Sequence, residues 1–343
     1  MRAAVLRAGR IVVDDVPEPV PGPGQVLLET VACGICGSDL HAVRHGADLV
    51  ASSRACGMAL FDFDPDADLV MGHEIVARVL DVGRGVDGLR PGTVVAPHPV
   101  VRLPGGVVRS VGFANQWPGG YAERFVVDAE GCVPVPAGVA PELFALTEPL
   151  AVGLHAVRRS RAVALGSAVV LGCGPVGLAV IANLLAGGVG LVVAADFSPA
   201  RRRFAEALGA QVVVDPGATE PIAAWRAAGG RGATVVVDAI GVPGIIDLAM
   251  KAAPRHSEVL VAGLCMQTDG FWPAVGVNKE LSITFALGWD AAEFAESMHT
   301  IAEGRIDAAA LVTGQVGLDG VAGAFAQLGR PDEHVKVLVR PNG

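Results

Sequence analysis

A chain of 343 residues that is 52% hydrophobic and 18% charged is long enough for two domains, each with a substantial core, and leaves little room for extended disorder. Its net charge of -9 argues against nucleic acid and anionic membrane as partners, since both reward clusters of Lys and Arg that are absent here. Six scattered cysteines exclude a dense secreted disulfide framework and fit thiols or metal ligands of a cytoplasmic protein. Arg7 and Arg10 interrupt the N-terminal apolar residues before a signal peptide can develop. The uncharged run between Arg161 and Asp196 is long enough for a membrane helix, but Gly172, Gly174, Pro175, Gly177, Gly187, Gly188 and Gly190 divide it into strand-sized and helix-sized pieces.

In chain order, short β-branched runs such as Ile11-Val12-Val13 and Val26-Leu27-Leu28, separated by the Pro-rich stretch 17–24, predict hairpin-like β structure. Asp39 to Val43 is read as a short helix, and Gly46 to Met71, with Asp62, Asp64, Asp66 and Asp68 on alternate positions, as a loop lying over other structure. Strands and Gly or Pro turns resume from Gly72, so residues 1 to about 135 predict a barrel-like β module. A helical stretch opens at Pro141 and runs through Glu148 to His155. Strands then recur at Ala168–Leu171, Leu191–Ala194, Gln211–Val214, Thr234–Val237 and Glu258–Val261, with helical patterns between them. That alternation predicts a doubly wound parallel sheet. A tail ending in His334–Val339 is expected to rejoin the first module, which sets the domains at 1–147 with 290–343, and 148–289.

Gly172-Cys173-Gly174-Pro175-Val176-Gly177 is a G-x-G-x-x-G run between a predicted strand and a predicted helix, with Asp196 closing the next strand. Glycines there permit a tight turn and let a pyrophosphate approach the helix N-terminus, whose free N–H groups and dipole favour negative charge. Asp196 is placed to accept bonds from the adenosine ribose hydroxyls and to repel a 2′-phosphate, which favours NAD over NADP. Arg201-Arg202-Arg203 just downstream is the feature that pulls toward a phosphate.

The densest group of reactive side chains is Cys33-Gly34-Ile35-Cys36-Gly37-Ser38-Asp39-Leu40-His41. By itself it fits half of a zinc site, a redox pair, or a turn with small buried thiols. A catalytic zinc takes about three protein ligands and keeps one position open. Cys36 and His73 form the obvious pair, Glu148 is a candidate third ligand, and the adjacent Glu74 is its substitute.

With these motifs in one order, the chain resembles the medium-chain zinc-dependent alcohol dehydrogenases, in the branch containing sorbitol dehydrogenase. The resemblance runs nearly end to end, through 26–28, 33–41, Gly72-His73-Glu74, Gly119-Gly120-Tyr121-Ala122-Glu123, Glu148-Pro149-Leu150 and 172–196. It implies an α/β protein with a β-rich GroES-like catalytic domain and a Rossmann cofactor domain. It further implies that Cys36 and His73 bind catalytic zinc, that Glu148 or Glu74 completes the shell, that Asp39 steadies it, and that Gly172, Gly174, Pro175, Val176, Gly177, Asp196 and Arg201 bind NAD. Ser38 would take the proton of an alcohol and pass it, through the nicotinamide ribose, to His41. The partners implied are a small alcohol or carbonyl compound and a second copy of the chain, as a homodimer or homotetramer pairing near Ser282–Phe285.

Two departures stand out. Residues 99–117 hold no cysteine where many relatives carry four for a structural zinc, so one zinc per chain is expected. The Cys36 to His73 spacing is also longer than usual in the family, because of 46–71. Phe113, Trp117, Trp289, Phe61 and Phe63 are candidate lining residues and hint at an apolar, bulky alcohol, with a polyol as the alternative within the family. The rival readings are a zinc-independent reductase of quinones or enones and a non-catalytic NAD(H)-binding protein. Cys33 is read as a structural thiol, His45 and His155 as surface and packing histidines, and Cys56, Cys132, Cys173 and Cys265 as small residues in half-buried places.

Overall fold

The computed structural model describes residues 1–330 and 334–343. The strands are β1 (Arg2–Arg7), β2 (Arg10–Asp15), β3 (Gln25–Gly34), β4 (Glu74–Val82), β5 (Val94–Pro97), β6 (Val100–Leu103), β7 (Val107–Ser110), β8 (Arg124–Asp128), β9 (Cys132–Pro134), β10 (Ser167–Leu171), β11 (Leu191–Ala195), β12 (Val212–Val214), β13 (Val235–Asp238), β14 (Glu258–Val261), β15 (Ser282–Phe285), β16 (Val312–Val316) and β17 (Lys336–Val339). The helices are α1 (Gly37–Ala55), α2 (Thr147–Arg159), α3 (Ala162–Leu165), α4 (Pro175–Ala186), α5 (Pro199–Leu208), α6 (Pro221–Ala227), α7 (Ile245–Ala252), α8 (Pro273–Lys279), α9 (Ala291–Ala302), α10 (Ala308–Leu311) and α11 (Val321–Leu328).

The chain divides into two compact units. One comprises Met1–Glu148, Met298–Arg330 and Lys336–Gly343; the other is built on Pro149–Ser297. Residues 290–297 thus group with the second unit, although the sequence pattern places the boundary at 289. The reason is local: the Trp289 and Phe294 rings lie 4.7 Å apart, and Glu293 Oε2 is 2.8 Å from His155 Nδ1. Among the described residues, no helix is long and apolar enough to cross a membrane.

In the first unit, β1 and β2 form a hairpin whose two turn residues, Ala8 and Gly9, both have positive φ, the geometry that matches the twist of paired strands. The larger sheet runs β16-β17-β3-β4-β5-β9, and β8 also pairs with β3. Strand β3 is its axis. One edge carries β4; along the other, β8 covers Gln25–Glu29 and β17 covers Cys33–Gly34. Three strands on two edges curl the sheet, which gives the barrel-like character read from the sequence.

The stretch after Cys36 differs from expectation. Helix α1 continues through a kink at His45 to Ala55, so 46–55 is helical and the loop begins only at Cys56. Ala42, Leu49 and Val50 recur on one face and are buried, and Gly46 is accepted within the helix because the Phe63 ring lies where its side chain would point.

The second unit is a fully parallel sheet in the order β12-β11-β10-β13-β14-β15. Strands β10, β13 and β14 are buried along their whole length, as expected of strands covered on both faces. Val169, Val193, Val236 and Val259 join Trp225 and Met250 in one core; each such side chain contributes about 1.5–3 kcal/mol by leaving water. Among the described residues, strand β15 ends the sheet with a free edge and a partly exposed face.

Candidate active site and nucleotide site

The register of the first sheet assembles one site. Gly34 pairs with Glu74 across β3 and β4, and with Leu338 across β3 and β17. Just past these pairs, the Cys36 side chain contacts the His73 ring, and Lys336 Nζ reaches the Ile35 carbonyl. Gly72 makes the approach to β4 possible: its φ is +100°, and a Cβ there would lie 2.8 Å from the Tyr121 ring and 2.9 Å from Cys33 Sγ. Cys33 is fully buried, and burial together with the charges of Asp39 and Glu74 raises its thiol pKa well above the ordinary value. A thiol so disposed packs and does not react. All six cysteines are free.

Cys36 caps the start of α1, and its backbone N–H donates to Asp39 Oδ2 at 3.0 Å. The same oxygen accepts the Tyr121 hydroxyl at 2.7 Å. The other, Oδ1, lies 3.4 Å from His73 Nδ1, at ion-pair distance but off the hydrogen-bond line, so both atoms stay buried without a hydrogen-bond partner. Burial pushes the His73 pKa down, but Asp39 and the nearby Cys36 thiol outweigh it and hold the pKa well above the ordinary imidazole value. His73 Nε2 is 3.5 Å from Ser38 Oγ, and the ring lies 5.3 Å from that of Phe113. His41 is half-buried one turn further along α1.

The two candidate carboxylates have different surroundings. Glu74 is fully buried and both of its oxygens accept from Lys336 Nζ at 2.6 Å, while the same ammonium donates to the Ile35 carbonyl at 3.0 Å. Burial works against the Lys336 charge, but Glu74 more than restores it, so the lysine pKa is raised. Glu74 is therefore committed to a cation and is not held as a ready substitute ligand. Glu148, half-buried in the first turn of α2, is near enough to act on the same ammonium. Lys336 carries no motif signal; its place depends on a strand hundreds of positions away in sequence. Among the described residues, no group of three or more His, Cys, Asp and Glu side chains is preassembled around one point. A thiol, an imidazole backed by a carboxylate, and a carboxylate on the neighbouring helix nevertheless form the donor set that suits zinc.

In the second unit the three glycines take three separate roles. Gly172 has φ +92° and a Cβ there would strike Ile240; a Cβ on Gly177 would lie 1.9 Å from the Gly172 carbonyl. Gly174 meets only Arg201 Nη1, at 3.9 Å, so its missing side chain leaves open space in front of α4. That division into turn, phosphate approach and helix-to-strand packing suits a dinucleotide, with Pro175 and Val176 opening the helix. Asp196 makes bonds invisible in the motif: Oδ2 accepts from Cys173 N and Oδ1 from Ser198 N, both at 2.8 Å, tying the glycine turn to the start of α5. The three arginines separate. Arg202 donates to the Asp196 and Phe197 carbonyls and pairs with Asp215, Arg203 points to solvent, and only Arg201 reaches toward Gly174, with its Nε buried and unpartnered.

The remaining candidates scatter. His155 bonds Glu293, His45 pairs with Asp48 on the surface, and Trp289 rests against Phe294, whereas Phe61 and Phe63 gather on Phe113.

Residues 22–137 match the model of the alcohol dehydrogenase GroES-like domain, and 175–303 match that of the zinc-binding dehydrogenases. The (R,R)-butanediol dehydrogenase of Bacillus subtilis (strain 168) is 33% identical over 96% of each chain. The chain belongs to the medium-chain zinc-dependent alcohol dehydrogenase family. The sorbitol dehydrogenase of Gallus gallus is 30% identical over 99% of this chain and 96% of its own. The crystal structure of the Bacillus subtilis 2R,3R-butanediol dehydrogenase superposes with a TM-score of 0.83 at 30% identity, over 99% of both chains. The protein is an oxidoreductase of this alcohol and polyol dehydrogenase family, with the GroES-like and Rossmann-type folds that its two units display.

Proposed function

We propose that the protein reversibly oxidises an alcohol, primary or secondary and of apolar character, to the aldehyde or ketone, with hydride transfer to NAD. The observation that carries this reading is the convergence of Cys36, His73 and Ser38 Oγ in one place, with Asp39 behind the imidazole. Cys36, His73 and Glu148 would hold a single zinc, which when bound acts as a Lewis acid and lowers the pKa of an oxygen ligand. The absence of cysteine from 99–117 supports one zinc rather than two.

Each residue then has a defined task. Asp39, fixed by Tyr121 and the Cys36 amide, stands behind His73 Nδ1, so that Nε2 faces Ser38 Oγ. Ser38 Oγ accepts the hydroxyl proton of the substrate and passes it outward, and His41, three positions further along α1, delivers it toward solvent. Gly174 admits the pyrophosphate to the N-terminus of α4, Arg201 supplies the cation beside it, and Asp196 faces the adenosine ribose, where its charge disfavours a 2′-phosphate. The first unit would serve as the catalytic domain and the second as the cofactor domain. The exposed edge of β15, with Phe285 60% and Leu287 53% exposed, would pair two copies into a homodimer or a dimer of dimers. A polyol is the second reading, favoured by the names of the butanediol and sorbitol dehydrogenases it resembles.

Metal analysis of the purified protein, beside a panel of apolar alcohols and polyols with NAD or NADP, tests the proposal. The expected result is about one zinc per chain, lost with activity in Cys36→Ser and His73→Ala. Full turnover by a zinc-free preparation would sink it.

A further inference from the structure

The ring beside His73 is not alone. Phe61 meets Phe113 edge to face, with centroids 5.4 Å apart and planes at 82°, and Phe63 lies 6.3 Å from the same ring. Phe63 is buried against the kinked part of α1, where a Cβ on Gly46 would lie 3.3 Å from its ring. Between the two phenylalanines in sequence stands Asp62. Its Oδ1 accepts from Arg54 Nε at 3.1 Å and Nη2 at 2.9 Å, and its Oδ2 accepts from Arg109 Nη2 at 3.2 Å. Arg109 Nη1 also donates to the Ala59 carbonyl at 2.7 Å, and Ser110 N to the Leu60 carbonyl at 3.0 Å. The segment carrying Phe61 is thus fastened to the end of α1 and to β7 by the Asp62 carboxylate and by the bonds to the Ala59 and Leu60 carbonyls.

We propose that Asp62 is a positioning residue that holds Phe61 against Phe113, and that this aromatic brace beside His73 sets the preference of the site for alcohols bearing an apolar or aromatic group on the carbinol carbon. The inference rests on the alcohol-oxidising reading above. The rings offer no hydrogen-bond partner, so a second hydroxyl placed there loses its water bonds without replacement. An apolar substituent placed there leaves water for a wall of carbon and gains. An apolar pocket rejects an added hydroxyl by only about a hundredfold, so a ring that drifts from its place can erase much of that margin.

The test uses the full-length protein with Asp62→Asn, Asp62→Glu and Phe61→Ala, and the matched probes 1-phenylethanol and 2,3-butanediol. Two readouts run together: kcat/KM for each alcohol, and Kd for each by saturation-transfer NMR without cofactor. The wild type is expected to favour 1-phenylethanol. Asp62→Asn and Phe61→Ala are expected to cut that preference by about tenfold or more, through KM and Kd rather than kcat, while Asp62→Glu keeps most of it. A wild type that favours the diol, or a preference unmoved in both variants, overturns the proposal. Selective binding that shifts in the variants, in a protein that oxidises neither alcohol, leaves the aromatic brace standing and removes the redox reading.

Discussion

Lys336 is the residue whose loss the molecule should feel most. It is fully buried, and replacing it leaves the buried Glu74 carboxylate without its cation. Lys336→Met should cost about 3–5 kcal/mol in urea unfolding, and adding Glu74→Gln should restore most of that, because the penalty comes from the uncompensated charge. An unaltered urea midpoint in the single variant would mean that Glu74 is not charged in the folded protein. Asp196 offers a second residue-scale test with a different readout. Asp196→Ala removes charge-assisted bonds worth about 1.5–3 kcal/mol each, so affinity for NAD should fall by roughly tenfold or more while NADP suffers less. The residue also braces Cys173 N and Ser198 N, and that structural part should weaken both cofactors alike. The NAD to NADP ratio therefore isolates the ribose role, and an unchanged ratio would count against it.

At the scale of elements, the end of β5 carries a histidine whose surroundings should make stability depend on pH. His98 follows that strand, and burial first, then the Arg102 charge, push its pKa down to about 4, with Glu130 pulling the other way. The unfolded chain binds the proton near ~6.5 and the folded chain does not. This contribution is complete above that value and is lost as pH falls toward about 4. Stability of the wild type should decline over that interval more steeply than that of His98→Gln, measured as the difference between their denaturant midpoints at matched pH. Equal slopes would place the His98 ring in water. Element types are legible in the sequence wherever a period is strong. Strand Glu258–Val261 is evident from its apolar run, whereas the helix over 46–55 is not, since Gly46 and the kink at His45 break the pattern and only Phe63, folding back, shows why the helix continues.

For the whole molecule, the proposed oligomer rests on the outer edge of β15, which among the described residues pairs only with β14 and beside which Phe285 and Leu287 stand 60% and 53% exposed. Phe285→Glu should convert an oligomer to monomers in sedimentation velocity, since a charge cannot be buried across a twofold edge without a counter-ion. A native protein that is already monomeric would remove the oligomer from the proposed function.

Chemistry that depends on adjacent residues was determined by the sequence alone: the strand, the glycine turn and the acid at Asp196 lie within one short stretch, so spacing suffices to identify a dinucleotide fold. The order of Cys36, Ser38, Asp39 and His73 similarly pointed to a family. Only the tertiary structure decided which partners these groups take. Register along β3 sets Lys336 against Glu74, and backbone bonds of Tyr121 to Ala4 and Met71 set its hydroxyl against Asp39. The fold of 56–63 brings Phe61 to Phe113 and Asp62 to two arginines. Such pairings join residues far apart in the chain, and no local period or propensity encodes them, because they exist only once the strands have chosen their neighbours.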